Sequence, residues 1–377
     1  MSRGLISITK HFEPLDDPRI LLKSAHKLID MIVIAICAVI CAADTWTDIE
    51  EFGHSKIEWL KTFLELPNGI PSHDTFGRVF SLLSAKTFQE CFQSWVNGVF
   101  EVTGGQVIAI DGKTARHSYD KKSNKAAIHI VHAWAADNGL LLGQLKTEEK
   151  SNEITAIPEL LKMLEIKGCI VTIDAMGCQR DIAEKIIKAK ADYVFTVKAN
   201  QEKLEEAIKN TFTETRNTNF EGMKYSHYKS DEKGHGRKEI RTCYALSVKN
   251  LPAAEEFKKK WKGLKSIILI ESERTSGGKT SIEHRYYISS LTPNAKKIAL
   301  AVRKHWSVEN SLHWCLDVAF KEDQCRIRIG EAAENFSLLR KIALLCLKRE
   351  TSSKRGINGK RLKSGWDTKY LQKVLLE

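Results

Sequence analysis

The chain has 377 residues, 42% of them hydrophobic and 28% charged, and 59 Lys and Arg against 47 Asp and Glu give it a formal charge of +12. That composition excludes a disordered chain, its length suits two or three domains, and its positive charge points to a polyanion partner. The apolar run at 31–43 is well short of the roughly 20 residues of a membrane span, residues 1–10 lack a signal-peptide core, and nine cysteines without a CxxC pair suit a reducing cytoplasm better than a disulfide or zinc framework.

Residues 28–43 are apolar all round and predict a buried helix. Residues 46–66 carry Ile49, Phe52, Trp59, Leu60 and Phe63 at helical spacing. Pro67-Asn-Gly-Ile-Pro71 reads as a turn, and 72–75 supplies the N-cap of a helix marked by Phe76, Val79, Phe80 and Leu83. Residues 1–100 are therefore expected to form a helical N-terminal domain. From Gln106 the period shortens to two. Strands are predicted at 107–110, 128–136 and 140–146, the last two joined through Asp137-Asn138-Gly139, a hairpin signal. Helix 154–164, strand 170–173, helix 179–189 and strand 193–197 follow. The order βββαβαβ predicts an α/β chain with a ribonuclease H-like catalytic core over 101–350, interrupted by a β-rich insertion at about 205–292. Within the insertion 239–246, 266–272 and 284–290 read as strands, and Ser276-Gly-Gly-Lys279 as a hairpin loop. Helices are expected again at 295–319 and 332–347. Residues 351–377 read as a basic tail: eleven Lys or Arg lie between 340 and 373 with only Glu350 and Asp367 as acids, which suits a solvated segment or one that contacts phosphates.

Three carboxylates carry the chemistry. Val107-Ile-Ala-Ile-Asp111 and Cys169-Ile-Val-Thr-Ile-Asp174 each end an apolar run on an acid, and the strand order puts both at the carboxyl edge, where open α/β sheets keep their sites. His305-Trp-Ser-Val-Glu309-Asn-Ser-Leu-His313 adds a third acid on a helix. An Asp-Gly pair such as Asp111-Gly112 alone is usually only a turn; the specificity lies in the pair of strand-ending aspartates. Asp111, Asp174 and Glu309 together can hold two Mg²⁺ ions about 3.5–4 Å apart for in-line attack on a phosphodiester, with Mn²⁺ as a substitute. Asp317, Glu322 and Asp323 compete for the third place, and the stripe His305, Glu309, His313 also suits a transition metal such as zinc. Gly112 leaves room for a close backbone or phosphate. Lys113, Arg116, Lys150, Asn152, Lys198, Gln201, His235, Arg237, Arg326 and Arg328 are the candidate DNA contacts, of the kind that fix register without reading sequence.

Together, Ile110-Asp-Gly-Lys-Thr, Glu149-Lys-Ser-Asn-Glu-Ile154, Thr172-Ile-Asp-Ala-Met-Gly-Cys-Gln179, Gly234-His-Gly-Arg237, Glu309-Asn-Ser-Leu-His-Trp-Cys-Leu-Asp317 and Glu322-Asp-Gln-Cys-Arg326 resemble the H-repeat-associated transposases, bacterial insertion-sequence enzymes with an Asp-Asp-Glu triad. The likeness extends to His26-Lys-Leu and Pro71-Ser-His-Asp-Thr-Phe76, and so covers nearly the whole chain. It implies Asp111, Asp174 and Glu309 as triad and metal ligands, and cleavage of insertion-sequence ends followed by strand transfer. The implied partners are double-stranded DNA, both terminal inverted repeats and target, and a second copy of the chain, with no membrane. The wider superfamily's Tyr and Arg before the glutamate, and Lys after it, are replaced by Val302, His305 and Leu316, with Lys321 or Arg326 as stand-ins for the missing cation. A Mg²⁺-dependent nuclease of the same fold, and an inactive DNA-binding relic, are the alternatives.

Overall fold

The computed structural model describes residues 3–20, 24–99, 104–119, 126–147, 153–234, 236–252 and 254–376. The described residues open with helices α1 (Arg3–Phe12), α2 (Leu28–Ile40), α3 (Trp46–Ser55), α4 (Ile57–Leu60), α5 (His73–Leu82) and α6 (Ala85–Val99). α2 is buried on every side, as a helix without a polar face must be. Thr45 and Asp48 cap α3 reciprocally, each side chain accepting from the other's backbone N–H, and Ser72 caps α5. The single segment expected at 46–66 is instead two helices, broken at Lys56.

Among the described residues, nine strands form one sheet: β1 (Val107–Thr114), β2 (His129–Ala135), β3 (Leu140–Lys146), β4 (Ile170–Ile173), β5 (Asp192–Val197), β6 (Tyr225–Gly234), β7 (Arg237–Ser247), β8 (Ser266–Ser276) and β9 (Lys279–Ser289). Their order is β3-β2-β1-β4-β5-β9-β8-β7-β6. β1 to β3 pair antiparallel, β4 joins β1 and β5 joins β4 in parallel, and β9 closes on β5 antiparallel. The region 205–292 therefore extends the sheet edge rather than forming a separate layer. Gly277 and Gly278, both at positive φ, make the predicted β8–β9 turn.

Helices α7 (Glu153–Lys162), α8 (Arg180–Lys188) and α9 (Glu202–Asn217) cover one face, and the short α10 (Ala254–Lys260) links β7 to β8. α11 (Ala295–His305) crosses the opposite face, burying Ala295, Ile298 and Ala301 against Val107, Ile170, Val194 and Tyr287. The continuous helix expected at 295–319 is interrupted after α11 by a π-helical turn, Glu309–His313, before α12 (Trp314–Val318) resumes. α13 (Ala332–Arg349) is buried through most of its length and packs on α2, α5 and α6.

Residues beyond α13 are not a solvated tail. They form α14 (Ile357–Trp366) and α15 (Thr368–Leu376), which pack on α2, α13 and α1. The reason lies in Arg361, whose side chain is 1% exposed. Its guanidinium donates to the carbonyls of Val39, at 3.0 Å, Ala43, at 3.2 Å, and Ala319, and to Asp44 at 3.0 Å. Val39 and Ala319 lie at the C-terminal ends of α2 and α12, where a cation is favoured.

Candidate active site

Strand register brings the two aspartates together. Ile110 stands opposite Ile173 in the parallel β1–β4 ladder, so the residues that follow, Asp111 and Asp174, hold matching positions on strands about 4.8 Å apart. Alternation from Val107 and Ile170 turns both toward the face that α11 covers. Asp111 is not a strand end, however: β1 continues to Thr114, with Asp111 opposite His132 of β2. Asp174 is the strand end expected, and its Oδ1 accepts from the N–H of Met176, at 3.0 Å, and Gly177, at 3.4 Å.

The third acid arrives from above. The π turn is closed by the N–H of Trp314 donating to the carbonyl of Glu309, a distortion often found at functional sites. It sets His313 Nδ1 3.4 Å from Glu309 Oε2 and 3.7 Å from Asp111 Oδ2. Asp111, Asp174 and Glu309 line one cleft of about 170 Å³, shared with Thr172, Lys198, Arg285, His305 and Trp306. Burial, then the charges of Glu309, Asp174 and Glu153, push the Asp111 carboxyl up to about 8. Burial and Glu153 also raise Asp174, against the pull of the two backbone N–H groups. Glu309 is held below the usual carboxylate range by its contact with His313. Burial drives His305 down to about 4, so this ring, 3.0 Å from Thr172 Oγ1, is neutral at physiological pH. An aspartate pair that resists ionisation lacks positive charge, and oxygen donors in this arrangement suit a hard divalent cation.

Glu153 is a fourth carboxylate whose part the sequence did not disclose. It accepts from His129 Nε2 at 2.8 Å and crosses directly over Gly112, where a Cβ would lie 2.1 Å from its Oε1. The close approach that Gly112 permits is thus made by Glu153. Its only sequence signal was its position in the segment Glu149 to Ile154.

Behind the cleft lies an internal ion cluster. Lys113, 8% exposed, sits 2.7 Å from Asp317, 3.1 Å from Asp323 and 3.6 Å from Glu322. Glu322 is buried with Arg340 and Lys341, each at 3.9 Å, and accepts from Ser337 at 2.7 Å. Those cations hold its carboxyl down to about 2 in spite of burial.

Comparison with known proteins decides the lineage. A family model described as "Transposase DDE domain" matches residues 103–346, and one described as "DDE_Tnp_1-associated" matches residues 9–96. The chain is 46% identical over 375 residues to "H repeat-associated putative transposase YhhI" of Escherichia coli (strain K12), covering 98% of both chains. This chain belongs to the H-repeat-associated transposase family. It is also 45% identical over 372 residues to "Putative transposase YncI" of Escherichia coli O157:H7, covering 98% of this chain and 94% of the relative. Among solved structures, one described as a cryo-EM structure of piggyBac transposase synaptic complex with hairpin DNA aligns with a TM-score of 0.45 and 11% identity, over 99% of this chain and 82% of that one.

For this transposase, the candidate DNA contacts separate sharply. Lys198 is exposed and lines the carboxylate cleft. Lys113 must be corrected: three carboxylates hold its ammonium inside the protein. Gln201 is half-buried, and its Nε2 donates to the carbonyl of Cys178 at 3.0 Å, bracing the loop after Asp174. Arg116 is exposed and lies 3.3 Å from Asp323. Arg326 and Arg328 line a separate groove of about 1150 Å³ between α3, α5 and the segment 321–332. Arg328 also donates to the carbonyl of His117 at 2.9 Å. Arg237 is exposed at the β6–β7 turn. Lys150, Asn152 and His235 lie outside the described residues. Of the suggested stand-in cations, Lys321 pairs with Asp44 at 3.1 Å and Arg326 faces the other groove; Lys198 and Arg285 are the cations of the cleft. Arg285, from β9, stacks 4.9 Å from the Trp306 ring and was not anticipated, because no strand periodicity tells which residue returns to β5. Among the described residues no helix is long and apolar enough to cross a membrane.

Proposed function

We propose that this chain is a metal-dependent DNA transposase that cuts the ends of an insertion sequence and joins them to target DNA, with Asp111, Asp174 and Glu309 as its catalytic carboxylates. The observation that carries the reading is the matched register of Asp111 and Asp174 on adjacent parallel strands, with Glu309 brought over them after α11. The sheet order β3-β2-β1-β4-β5, antiparallel then parallel, supports a ribonuclease H-like core. In that reading β6 to β9 are an insertion before the helix that bears the glutamate.

Asp111, Asp174 and Glu309 would hold Mg²⁺, or Mn²⁺ in its place. When bound, such ions supply Lewis-acid polarisation of the phosphate and an activated water or 3′-hydroxyl. The chain's own residues prepare the site. The N–H groups of Met176 and Gly177 fix the Asp174 carboxyl. His313 Nδ1 stands between the Glu309 and Asp111 carboxylates. Lys198 and Arg285 draw the phosphodiester into the cleft, and neutral His305 adds no competing charge. Exposed Arg116, Arg237 and Arg326 belong to wider surfaces suited to duplex phosphates. Pairing two transposon ends calls for a homodimer on DNA, acting in the cytoplasm at the nucleoid.

The test incubates purified protein and Mg²⁺ with a labelled duplex bearing its flanking inverted repeat and a target plasmid. End nicking with a joined product, abolished by Glu309→Gln, supports transposition. Asp111→Asn is expected to abolish cleavage and spare DNA binding. Cleavage without joining would identify a nuclease, and binding without cleavage an inactive relic.

A further inference from the structure

We infer that His313 is a third ligand of the cation that Asp111 and Glu309 hold, making this half of the site a two-carboxylate, one-imidazole centre that favours Mn²⁺ over Mg²⁺. The inference rests on the proposed reading of Asp111 and Glu309 as metal ligands and adds a nitrogen donor to it. One ligand atom from each of Asp111, Glu309 and His313 lies within 4.8 Å of the others. Among the described residues no other such trio of His, Cys, Asp or Glu occurs, and Asp174 belongs to none.

The spacing lets one ion reach the imidazole and each carboxylate. Donors about 2.1 Å from an octahedral ion stand about 3.0 Å apart when adjacent and about 4.2 Å apart when opposite. The separations from His313 Nδ1, 3.4 Å to Glu309 and 3.7 Å to Asp111, fall between those limits. Both exceed the 2.7–3.2 Å of a well-formed hydrogen bond. A buried histidine that simply donated to a carboxylate would close on one of them; this ring stands between two.

The far side of the ring is engaged. His313 is 5% exposed, and its Nε2 lies 3.3 Å from His132 Nδ1. His132 is the cross-strand partner of Asp111, so one β-ladder pair sets both the carboxylate and the brace behind the imidazole. An engaged second nitrogen is the usual companion of a metal-bound histidine, because it fixes the tautomer and aims the other lone pair. With His313 Nε2–H donating to His132, Nδ1 presents its lone pair to the space between the acids. Mg²⁺ is a hard ion that prefers oxygen, whereas imidazole suits the transition series and Mn²⁺ accepts carboxylates as well.

Pulsed electron paramagnetic resonance of the full-length protein loaded with Mn²⁺ tests this directly. Bound Mn²⁺ is expected to show ¹⁴N modulation from a coordinated imidazole, replaced by the ¹⁵N pattern when the wild-type protein is made with ¹⁵N-histidine. His313→Gln should remove the modulation and weaken Mn²⁺ at least tenfold while weakening Mg²⁺ less. His305→Gln, in the same cleft, should leave the signal intact. Bound Mn²⁺ without nitrogen modulation, or modulation that survives in His313→Gln, overturns the inference and leaves the carboxylate site standing. Failure of the wild-type protein to bind Mn²⁺ any better than Asp111→Asn overturns both.

Discussion

Asp111 is a carboxyl that burial and three neighbouring acids press toward its neutral form. Because its folded pKa, about 8, is above the ordinary carboxylate value, the folded state keeps a proton that the unfolded chain has lost. Its contribution to stability therefore declines as pH rises from about 4 to 8, and a bound cation should cancel the decline. Metal-free wild-type protein is expected to melt at progressively lower temperature from pH 5 to 8, more steeply than Asp111→Asn, and added Mn²⁺ at pH 8 should raise the wild-type melting temperature but not the variant's. Gly112 makes a second, steric prediction. Gly112→Ala drives a methyl into Glu153 and His129 and should cost about 1–3 kcal/mol in urea denaturation, with much of the loss recovered in the double variant carrying Glu153→Ala, since contacting residues do not add independently. The two aspartates were legible because each follows a buried apolar run, a pattern that survives without neighbours. Glu153 was not, since its meaning comes from a cross-over with Gly112 that only folding creates.

At the scale of elements, the cluster around Glu322 ties three parts of the chain together: Lys113 from β1, Asp317 from α12 and the Arg340–Lys341 pair from α13. It anchors the strand of Asp111 to the helix that follows Glu309. Glu322→Gln leaves buried cations without their common counter-charge and should destabilise the protein by about 3–5 kcal/mol. The folded pKa of Glu322, about 2, is below the unfolded value, so its stabilisation is complete above about pH 4.5 and is lost as pH falls toward 2. Acid unfolding monitored by circular dichroism should accordingly move to higher pH in variants that weaken the cluster, such as Lys341→Met. The sequence had offered Lys113 as a phosphate contact, because charge alone cannot say whether a lysine faces solvent or a carboxylate. Strands β2, β3, β8 and β9 were legible from alternation and glycine turns. β6 was not, since its inward positions Ser226, Tyr228 and Ser230 are only half-buried and mostly polar and so impose no hydrophobic period, and no helix was predicted at α9. The π turn likewise has no sequence signature in an otherwise helical pattern.

For the whole molecule, the basic run at the C-terminus proves to be structural in part: Arg340, Lys341, Lys360 and Arg361 are buried, and only the remainder can add to a DNA-facing charge. Arg361→Ala is expected to cost about 3–5 kcal/mol, read as a lower urea midpoint, and truncation after Arg349 should yield insoluble or unfolded protein, where a dispensable tail would leave the melt unchanged. Composition could count these cations but not locate them, because their partners, the Glu322 carboxylate for Arg340 and Lys341 and backbone carbonyls for Lys360 and Arg361, are brought to them only by folding. The added strands β6 to β9 carry a different consequence. Their seam with the rest of the sheet is β5, whose Tyr193, Val194, Phe195 and Val197 are all buried, and β9 occupies the hydrogen-bonding edge of that strand. A chain cut down by excising residues 205–292 would not be a minimal catalytic core. It would present an apolar strand with unpaired backbone groups to every other copy in solution, and self-association along that edge would compete with folding, so the segment that enlarges the molecule also keeps its molecules apart.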